Sequence, residues 1–372
     1  MNKFGFIPIA EPDLTNIERA YLNEAFDSNW ISSSGKFVDQ FELEWAKICQ
    51  TGYSLSVSNG TVAIQLILAA LGIGPGDEVI VPSLTFVASA NAVKYVGATP
   101  VFADSTLNTW CIDPNSVEKL ITPRTRAIMA VHLYGNPCDM KTLSRICEDR
   151  GVHLIEDAAE APFGEIDGRR IGAFGIAASF SFYGNKILTS GEGGAVVTSD
   201  LVLYQKMKLL RGQGMDPKIR YFFPEIGYNF RLTNMQCALL CGQIERQHEI
   251  LVARREVFRI YDEYLLGHPK LQFQQVISGH IRSPWLYTCL VKVGGRYLRD
   301  KLMENLSELG IETRPVFIPI HQLPPYISAS QSELPVADFL GNSGISLPTS
   351  SVIDSRKIEY VAKNFLRLLE ED

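Results

Sequence analysis

Short apolar segments alternate with longer helical stretches along the first half of this chain. Four of the short segments, 78–82, 100–103, 127–132 and 152–156, are nearly continuous runs of apolar residues. The spacing between them leaves room for crossover helices. Near-continuous apolar strands separated by helices predict a mostly parallel sheet that is buried on both faces.

The pattern changes after about residue 245. Residues 249–265 form one long amphipathic stretch, which predicts a helix that leads into a second domain. Three later segments predict a strand at 285–291 and helices at 299–309 and 358–369. We therefore expect an α/β fold with a large domain at 1–245 and a smaller C-terminal α+β domain at 246–372.

Composition and charge narrow the possible functions. The 372 residues are 46% hydrophobic and 20% charged, and the net charge of −6 argues against a non-specific nucleic-acid binder. The sequence contains no apolar run long enough to span a bilayer and begins without the apolar core of a signal peptide, so we expect no membrane partner and a cytoplasmic location.

Cysteine and histidine spacing gives no sign of a disulfide framework or a metal site. The seven cysteines are odd in number and include no C-x-x-C pair, so buried thiols are the simplest interpretation. The six histidines lack the spacing of metal ligands, and we expect no metal. His132 and His321 are the two that could face a functional site.

Lys186 lies between an aromatic segment and a glycine-rich turn that contains Gly191, Gly193 and Gly194. A catalytic lysine must be neutral during part of its cycle to attack a carbonyl group, and burial or nearby cations lower its pKa enough to allow this. Taken alone, Lys186 is better interpreted as a surface lysine beside a tight hairpin. It gains meaning only from the other segments.

Asp157 ends a predicted strand, at the sheet edge where ligand sites of open α/β folds gather. A carboxylate there could pair with the ring nitrogen of pyridoxal 5′-phosphate (PLP) and so keep the ring an electron sink. The alternative is an N-cap for the next helix, and the two interpretations are about equal.

Two further segments suit the same cofactor. Gly60 and Thr61 open an apolar helix, where backbone N–H groups and a hydroxyl suit a phosphate, and Ser181 could add a second hydroxyl. Capping by Ser58 or Asn59 explains the first pattern equally well and does not exclude a phosphate. Phe86 follows a strand and could stack on an aromatic ring, although a core position is the plainer interpretation.

Together these segments resemble the sugar aminotransferases of the DegT/DnrJ/EryC1/StrS family. The resemblance runs almost end to end, and its most specific parts are residues 156–160 and the Lys186 segment with its glycines. Residues 228–234 and 314–317 add to it. It implies a PLP-dependent type I aminotransferase fold and a homodimer with shared active sites.

The resemblance also implies roles for individual residues. Lys186 matches the Schiff-base lysine and proton carrier, and Asp157 matches the partner of the pyridine nitrogen. Glu160 stands where many relatives carry glutamine, near the cofactor O3′. The remaining cofactor contacts implied are Ser58, Gly60, Thr61, Phe86 and Ser181, with Asn229 reaching the phosphate of the neighbouring subunit. The substrate contacts expected are Trp30, Ser33, Arg231, Arg314, Phe317 and His321.

The substrates implied are L-glutamate as amino donor and a nucleotide-linked 4-keto-6-deoxy sugar, GDP-4-keto-6-deoxy-mannose, as acceptor, with a place in O-antigen biosynthesis. Ile318 and Pro162 depart from the pattern expected for that branch, so another keto-sugar stays open. A sugar dehydratase of the same family is disfavoured because those relatives carry histidine where Lys186 stands. A non-catalytic regulator built on this fold is also disfavoured, because the sequence gives no sign of an added DNA-binding domain such as a helix-turn-helix.

Overall fold

The computed structural model describes residues 4–327 and 333–371. Its helices are α1 (Asn16–Asp27), α2 (Lys36–Ile48), α3 (Gly60–Ala70), α4 (Ala88–Tyr95), α5 (Pro114–Leu120), α6 (Met140–Arg150), α7 (Leu201–Arg211), α8 (Asn234–Glu245), α9 (Gln247–Leu265), α10 (Gly295–Glu308), α11 (Pro335–Ser343) and α12 (Ser355–Glu371). Its strands are β1 (Tyr53–Val57), β2 (Glu78–Pro82), β3 (Thr99–Ala103), β4 (Thr125–Val131), β5 (His153–Asp157), β6 (Glu165–Ile166), β7 (Arg169–Arg170), β8 (Ala177–Ser181), β9 (Gly194–Thr198), β10 (Leu271–Phe273), β11 (His280–Ile281), β12 (Tyr287–Val291), β13 (Arg314–Pro315) and β14 (Gly344–Leu347).

A seven-stranded sheet in the order β1-β9-β8-β5-β4-β2-β3 forms the centre of the large domain. Strands β3, β2, β4, β5 and β8 are parallel, and β9 is antiparallel to both β8 and β1. Six of the seven strands therefore run in one direction, which confirms the predicted mostly parallel sheet. Apolar residues predominate in these strands, as expected for a parallel sheet that helices cover on both faces.

The strand directions bring the chemically interesting segments to one edge. Strands β1, β5 and β8 end at Val57, Asp157 and Ser181, so the residues that follow each of them meet at the carboxyl edge. The reversed strand β9 closes a hairpin with β8, and residues 182–193 form its loop. Lys186 is therefore held from both sides of its loop at this edge.

The C-terminal part forms an antiparallel sheet in the order β10-β12-β14-β13, against which α9, α10 and α12 pack. The structure has a second hydrophobic core here, which includes Val257, Leu302 and Phe365 and also Ile7 from the N-terminal segment. The predicted α+β structure of the C-terminal part is thus confirmed. The division at residues 245 and 246 stays a prediction.

The predicted elements are found, with shifted ends. The helix predicted at 249–265 is α9 and begins two residues earlier, and the strand predicted at 285–291 is β12 and begins only at Tyr287. The reason for the second difference is that Trp285 leaves the strand direction to reach the functional site described below. Among the described residues, no helix combines the length and apolarity needed to cross a membrane.

Candidate active site

A cavity of about 620 Å³ opens at the carboxyl edge of the seven-stranded sheet. It is lined by residues from the start of α3, the end of β5, the loop between β8 and β9, and the segment around β13. The predicted residues that line it are Gly60, Thr61, Phe86, Asp157, Glu160, Ser181, Lys186, Arg314 and Phe317. Segments separated by more than 250 positions thus form one site.

Lys186 contributes a primary amine to this cavity. Its Nζ lies 4.0 Å from the centre of the Trp285 ring. Burial lowers the pKa of Lys186 below its ordinary value and Arg314 acts in the same direction, while Glu160 and Asp157 oppose the change. A lysine in this environment exchanges between the neutral amine and the ammonium form more readily than one in water, as a nucleophile and proton carrier requires.

Asp157 is buried at the end of β5 and faces the cavity. Its Oδ2 accepts a hydrogen bond of 2.8 Å from the Ser89 hydroxyl, and its Oδ1 accepts one of 3.1 Å from the Ala159 N–H. Within residues 4–327 and 333–371, no cationic side chain is hydrogen-bonded to this carboxylate. A buried carboxylate without a bound cation favours a positively charged ligand group.

Glu156 precedes Asp157 but has a different role because successive residues of a strand point to opposite faces. Its carboxylate accepts hydrogen bonds from the N–H groups of Gly172, Phe174 and Gly175, and it lies 3.2 Å from His132 Nε2. Burial alone would raise the pKa of Glu156, but the bonds from His132 and the backbone lower it. The Glu156–His132 pair therefore stabilises β5 on the face of the sheet opposite to Asp157.

His132 therefore belongs to the interior and not to the cavity lining. The Cys138 N–H donates to its Nδ1 at 3.1 Å, which leaves the Nε2 proton for Glu156. The second histidine singled out, His321, lies 2.6 Å from Ser83 Oγ through Nδ1 and 3.1 Å from Asp338 through Nε2. His321 does not line the cavity, and its predicted contact with the substrate stays a prediction.

Glu160 is buried beside Lys186, and its Oε2 accepts a hydrogen bond of 2.7 Å from the Tyr134 N–H. Burial raises the pKa of Glu160 to about 7, although Lys186 and the hydrogen bond from the Tyr134 N–H lower it, and the negative charge of Asp157 adds a smaller rise. Near neutral pH this carboxyl is therefore protonated for part of the time. A protonated carboxyl can donate a hydrogen bond to a ligand, which a carboxylate cannot do.

The start of α3 faces Ser181 across a very narrow gap. Asn59 caps the helix by accepting a bond of 3.0 Å from the Val62 N–H, which leaves the first N–H groups, those of Gly60 and Thr61, without an intrahelical acceptor. A Cβ atom on Gly194 would lie 2.5 Å from the Asn59 carbonyl carbon, so only glycine allows β9 to approach this turn. The arrangement suits a phosphate dianion.

Four aromatic rings form one wall of the cavity. The Tyr134 ring is stacked between Trp285 and Phe317, with centroid distances of 5.8 and 5.4 Å, and Phe317 contacts Phe86 at 5.8 Å. Tyr134 has a φ of 52°, a left-handed conformation that directs its N–H to Glu160. Tyr134 and Trp285 were not predicted, because aromatic residues in apolar segments resemble ordinary core.

Several predicted residues lie outside the cavity lining. Ser58 donates its N–H to the Phe230 carbonyl and leaves the capping to Asn59. Asn229 and Arg231 are exposed and bonded to each other, Asn229 Oδ1 accepting from Arg231 Nε and Nη2 at 3.1 and 2.9 Å. Trp30 is 60% exposed and Ser33 is partly exposed near the surface.

The described residues contain no cluster of three or more acidic, histidine or cysteine side chains that could hold a metal ion.

A profile of the DegT/DnrJ/EryC1/StrS aminotransferase family matches residues 12–366. The chain belongs to this family. Over 364 residues it is 46% identical to GDP-perosamine synthase of Caulobacter vibrioides, covering 97% of this chain and 98% of the relative. It is 41% identical to GDP-perosamine synthase of Escherichia coli O157:H7, covering 96% of this chain and 97% of the relative.

Solved structures of other proteins share the fold. The putative sugar aminotransferase Spr1654 of Streptococcus pneumoniae in its PMP form gives a TM-score of 0.94 at 26% identity, covering 98% of each chain. DesV of S. venezuelae in complex with a ketimine intermediate gives 0.91 at 35% identity, covering 98% of this chain and 99% of DesV. These matches confirm the type I aminotransferase fold, the PLP cofactor and the sugar aminotransferase class.

The residues of the cavity fit PLP. The buried carboxylate of Asp157 suits the protonated ring nitrogen, the N-terminus of α3 with Thr61 and Ser181 suits the phosphate, and Lys186 would provide the amine for the aldehyde. When bound, PLP supplies the electron-accepting ring and carries the amino group between substrates. In this arrangement Lys186 would be the group placed to take up and return a proton beside the bound cofactor.

Proposed function

We propose that this aminotransferase moves the amino group of L-glutamate to the C4 keto group of GDP-4-keto-6-deoxy-D-mannose and so forms GDP-perosamine. The observation that carries the proposal is full-length similarity to three relatives named GDP-perosamine synthase, at 46%, 41% and 41% identity. Glu160 supports it as well, since a glutamate at this position resembles the perosamine branch of the family. Such a product would enter a surface polysaccharide such as an O-antigen.

A second candidate is amination of another nucleotide-linked keto-sugar. A dTDP-3-amino-3,4,6-trideoxy-alpha-D-glucose transaminase of Streptomyces venezuelae is 40% identical over 319 residues, although the match covers a smaller share of both chains, 84% and 82%. Pro162 and the half-exposed Ile318 also differ from the pattern expected for the perosamine branch. The dehydratase alternative is disfavoured because Lys186 is available for proton transfer.

A substrate panel tests the proposal. The purified, PLP-loaded enzyme is incubated with ¹⁵N-labelled L-glutamate and one acceptor at a time. The acceptors are the 4-keto-6-deoxy sugars linked to GDP, dTDP and UDP. We expect ¹⁵N to enter only the GDP-linked sugar, with release of 2-oxoglutarate, as measured by mass spectrometry. Lys186→Ala is the control for non-enzymatic amination. Transfer of ¹⁵N to another keto-sugar with none to the GDP-linked one would replace the proposed substrate.

We further propose a homodimer in which each subunit completes the other's site. Asn229 lies outside the cavity lining of its own chain, and Arg231 occupies only its Oδ1, so the amide N–H₂ stays available as a donor to a phosphate. The preceding loop exposes large apolar side chains: Ile219, Tyr221, Phe222, Phe223 and Ile226. An exposed apolar cluster of this size is typical of a protein–protein interface.

Mixing two inactive variants tests the shared site. Lys186→Ala removes the amine, and Asn229→Asp places a negative charge where the phosphate of the neighbouring subunit is expected. In a mixed dimer, one of the two sites combines the intact Lys186 with the intact Asn229. We therefore expect activity to return, at low PLP, to about a quarter of the wild-type value when equal amounts are dissociated and reassociated, because half the dimers are mixed. No recovery from a dimer, or a monomer by sedimentation, contradicts this proposal.

The location stays part of the proposal as well. All seven cysteines are buried as free thiols, an arrangement that suits a reducing compartment such as the cytoplasm.

A further inference from the structure

Trp285 makes two contacts with the lysine loop, although it comes from the segment just before β12. The face of its ring lies under the Lys186 amine, 4.0 Å from Nζ to the ring centre. Its indole Nε1–H donates a hydrogen bond of 2.9 Å to the carbonyl of Asn185, the residue before the lysine. One side chain therefore touches both the reactive nitrogen and the backbone that carries it.

The main chain of Trp285 is itself held firmly. Arg254 on α9 is fully buried, and its Nη1 donates to the Trp285 carbonyl at 3.0 Å. The Trp285 N–H donates to the Ser283 carbonyl at 3.0 Å, and the ring is 3% exposed and stacked on Tyr134. A side chain with so many constraints has little freedom, so it can fix the position of a more mobile neighbour.

We propose that Trp285 is a positioning residue that holds the Lys186 amine at the cavity, through the ring face under Nζ and the indole N–H on Asn185. A lysine side chain has about four rotatable bonds, so without such contacts it could leave the reacting position. The proposal rests on Lys186 as the cofactor lysine and is independent of which sugar is aminated.

The ring face also affects the protonation of Lys186. The groups that face this amine are Glu160 and Asp157, which favour the ammonium form, and Arg314, which opposes it. The electron-rich face of an indole attracts an ammonium ion, so it acts together with the two carboxyl groups against burial. Trp285 thus limits how far burial lowers the pKa of Lys186 and keeps enough ammonium present to return a proton.

Fluorinated tryptophans test the ring-face contact without changing its shape. Residue 285 is replaced by tryptophans that carry one, two and three ring fluorines, each of which weakens the attraction for cations. The pKa of Lys186 in the PLP-free enzyme is measured by competitive acetylation over a pH series, with the Lys186 peptide followed by mass spectrometry. We expect the pKa to fall stepwise, by about one pH unit with three fluorines.

The matched control is the same series at Trp110, which is also fully buried but does not line the cavity. We expect no change in the pKa of Lys186 there. An unchanged pKa throughout the series at 285, or an equal fall in the series at 110, would overturn the role of the ring face. Because no PLP or sugar is present, failure here leaves the substrate proposal untouched.

The indole N–H is tested by Trp285→Phe, which keeps an aromatic ring and removes the donor to Asn185. We expect the Lys186 amide, which is bonded to the Tyr183 carbonyl at 2.9 Å, to exchange its hydrogen about two- to tenfold faster in the PLP-free enzyme. Trp110→Phe is the control, since no acceptor among the described residues binds the Trp110 Nε1. Equal exchange in wild type and Trp285→Phe would refute this contact's role.

Discussion

Lys186→Ala should abolish amino transfer and covalent retention of PLP while leaving the protein folded. Among residues 4–327 and 333–371, Lys186 is the only lysine that lines the cavity, and this variant loses its primary amine. Acid–base catalysis alone accounts for roughly 10²–10⁴-fold in rate, and loss of the nucleophile adds to this. The measurements are kcat with L-glutamate, and the cofactor mass that remains on the enzyme after borohydride reduction.

Two controls give this result its meaning. Lys94→Ala removes an exposed lysine from α4 and should change neither measurement. Methylamine should restore part of the activity of Lys186→Ala, because the deleted side chain leaves space for a small amine that can carry the proton. A purified Lys186→Ala enzyme that turns over at the wild-type rate would remove Lys186 from the mechanism altogether.

Asp157→Asn should bind PLP and yet transfer amino groups poorly. The amide oxygen still accepts the hydrogen bond from Ser89, but it cannot hold a proton on the pyridine nitrogen. Removing one partner of a buried ion pair costs about 3–5 kcal/mol, which corresponds to a fall in kcat of roughly 10²–10³-fold or more. The thermal midpoint of the PLP-free enzyme should change little, because relief from a buried negative charge offsets the loss of the hydrogen bond from the Ala159 N–H.

Glu156→Gln is the matched comparison on the neighbouring residue. A glutamine cannot accept from His132 and from three N–H groups at once, so we expect the free energy of unfolding to fall by about 3–5 kcal/mol. The kcat per folded molecule should stay close to the wild-type value. If the two variants lost activity and stability in the same proportions, Asp157 would have no role distinct from that of Glu156.

The fold could be predicted from the sequence where the pattern is local. Strands β2 to β5 each contain an apolar run, at 79–81, 100–103, 127–131 and 154–155, so their burial inside a parallel sheet follows from residue order alone. The reversed direction of β9 and its place between β1 and β8 could not be predicted in this way. They depend on the close approach that Gly194 permits, which is a contact between distant segments.

The site divides in the same manner. Lys186, Asp157 and Gly60 belong to short segments whose chemistry is visible in the sequence. Ser89 and Trp285 are not, since their importance lies in one hydrogen bond to Asp157 and in contacts with the lysine loop. Glu156 shows the converse difficulty, because the sequence presents two adjacent carboxylates and only the strand geometry assigns one to the cavity and the other to the interior.

The aromatic wall has a consequence for how this enzyme can be divided. Two of its rings, Tyr134 and Phe86, belong to the first half of the chain, and the two between and beside them, Phe317 and Trp285, belong to the C-terminal part. Neither part carries a whole binding surface. A chimaera whose C-terminal part comes from another family member would therefore differ in its affinity for the cofactor as well as in its specificity for the sugar.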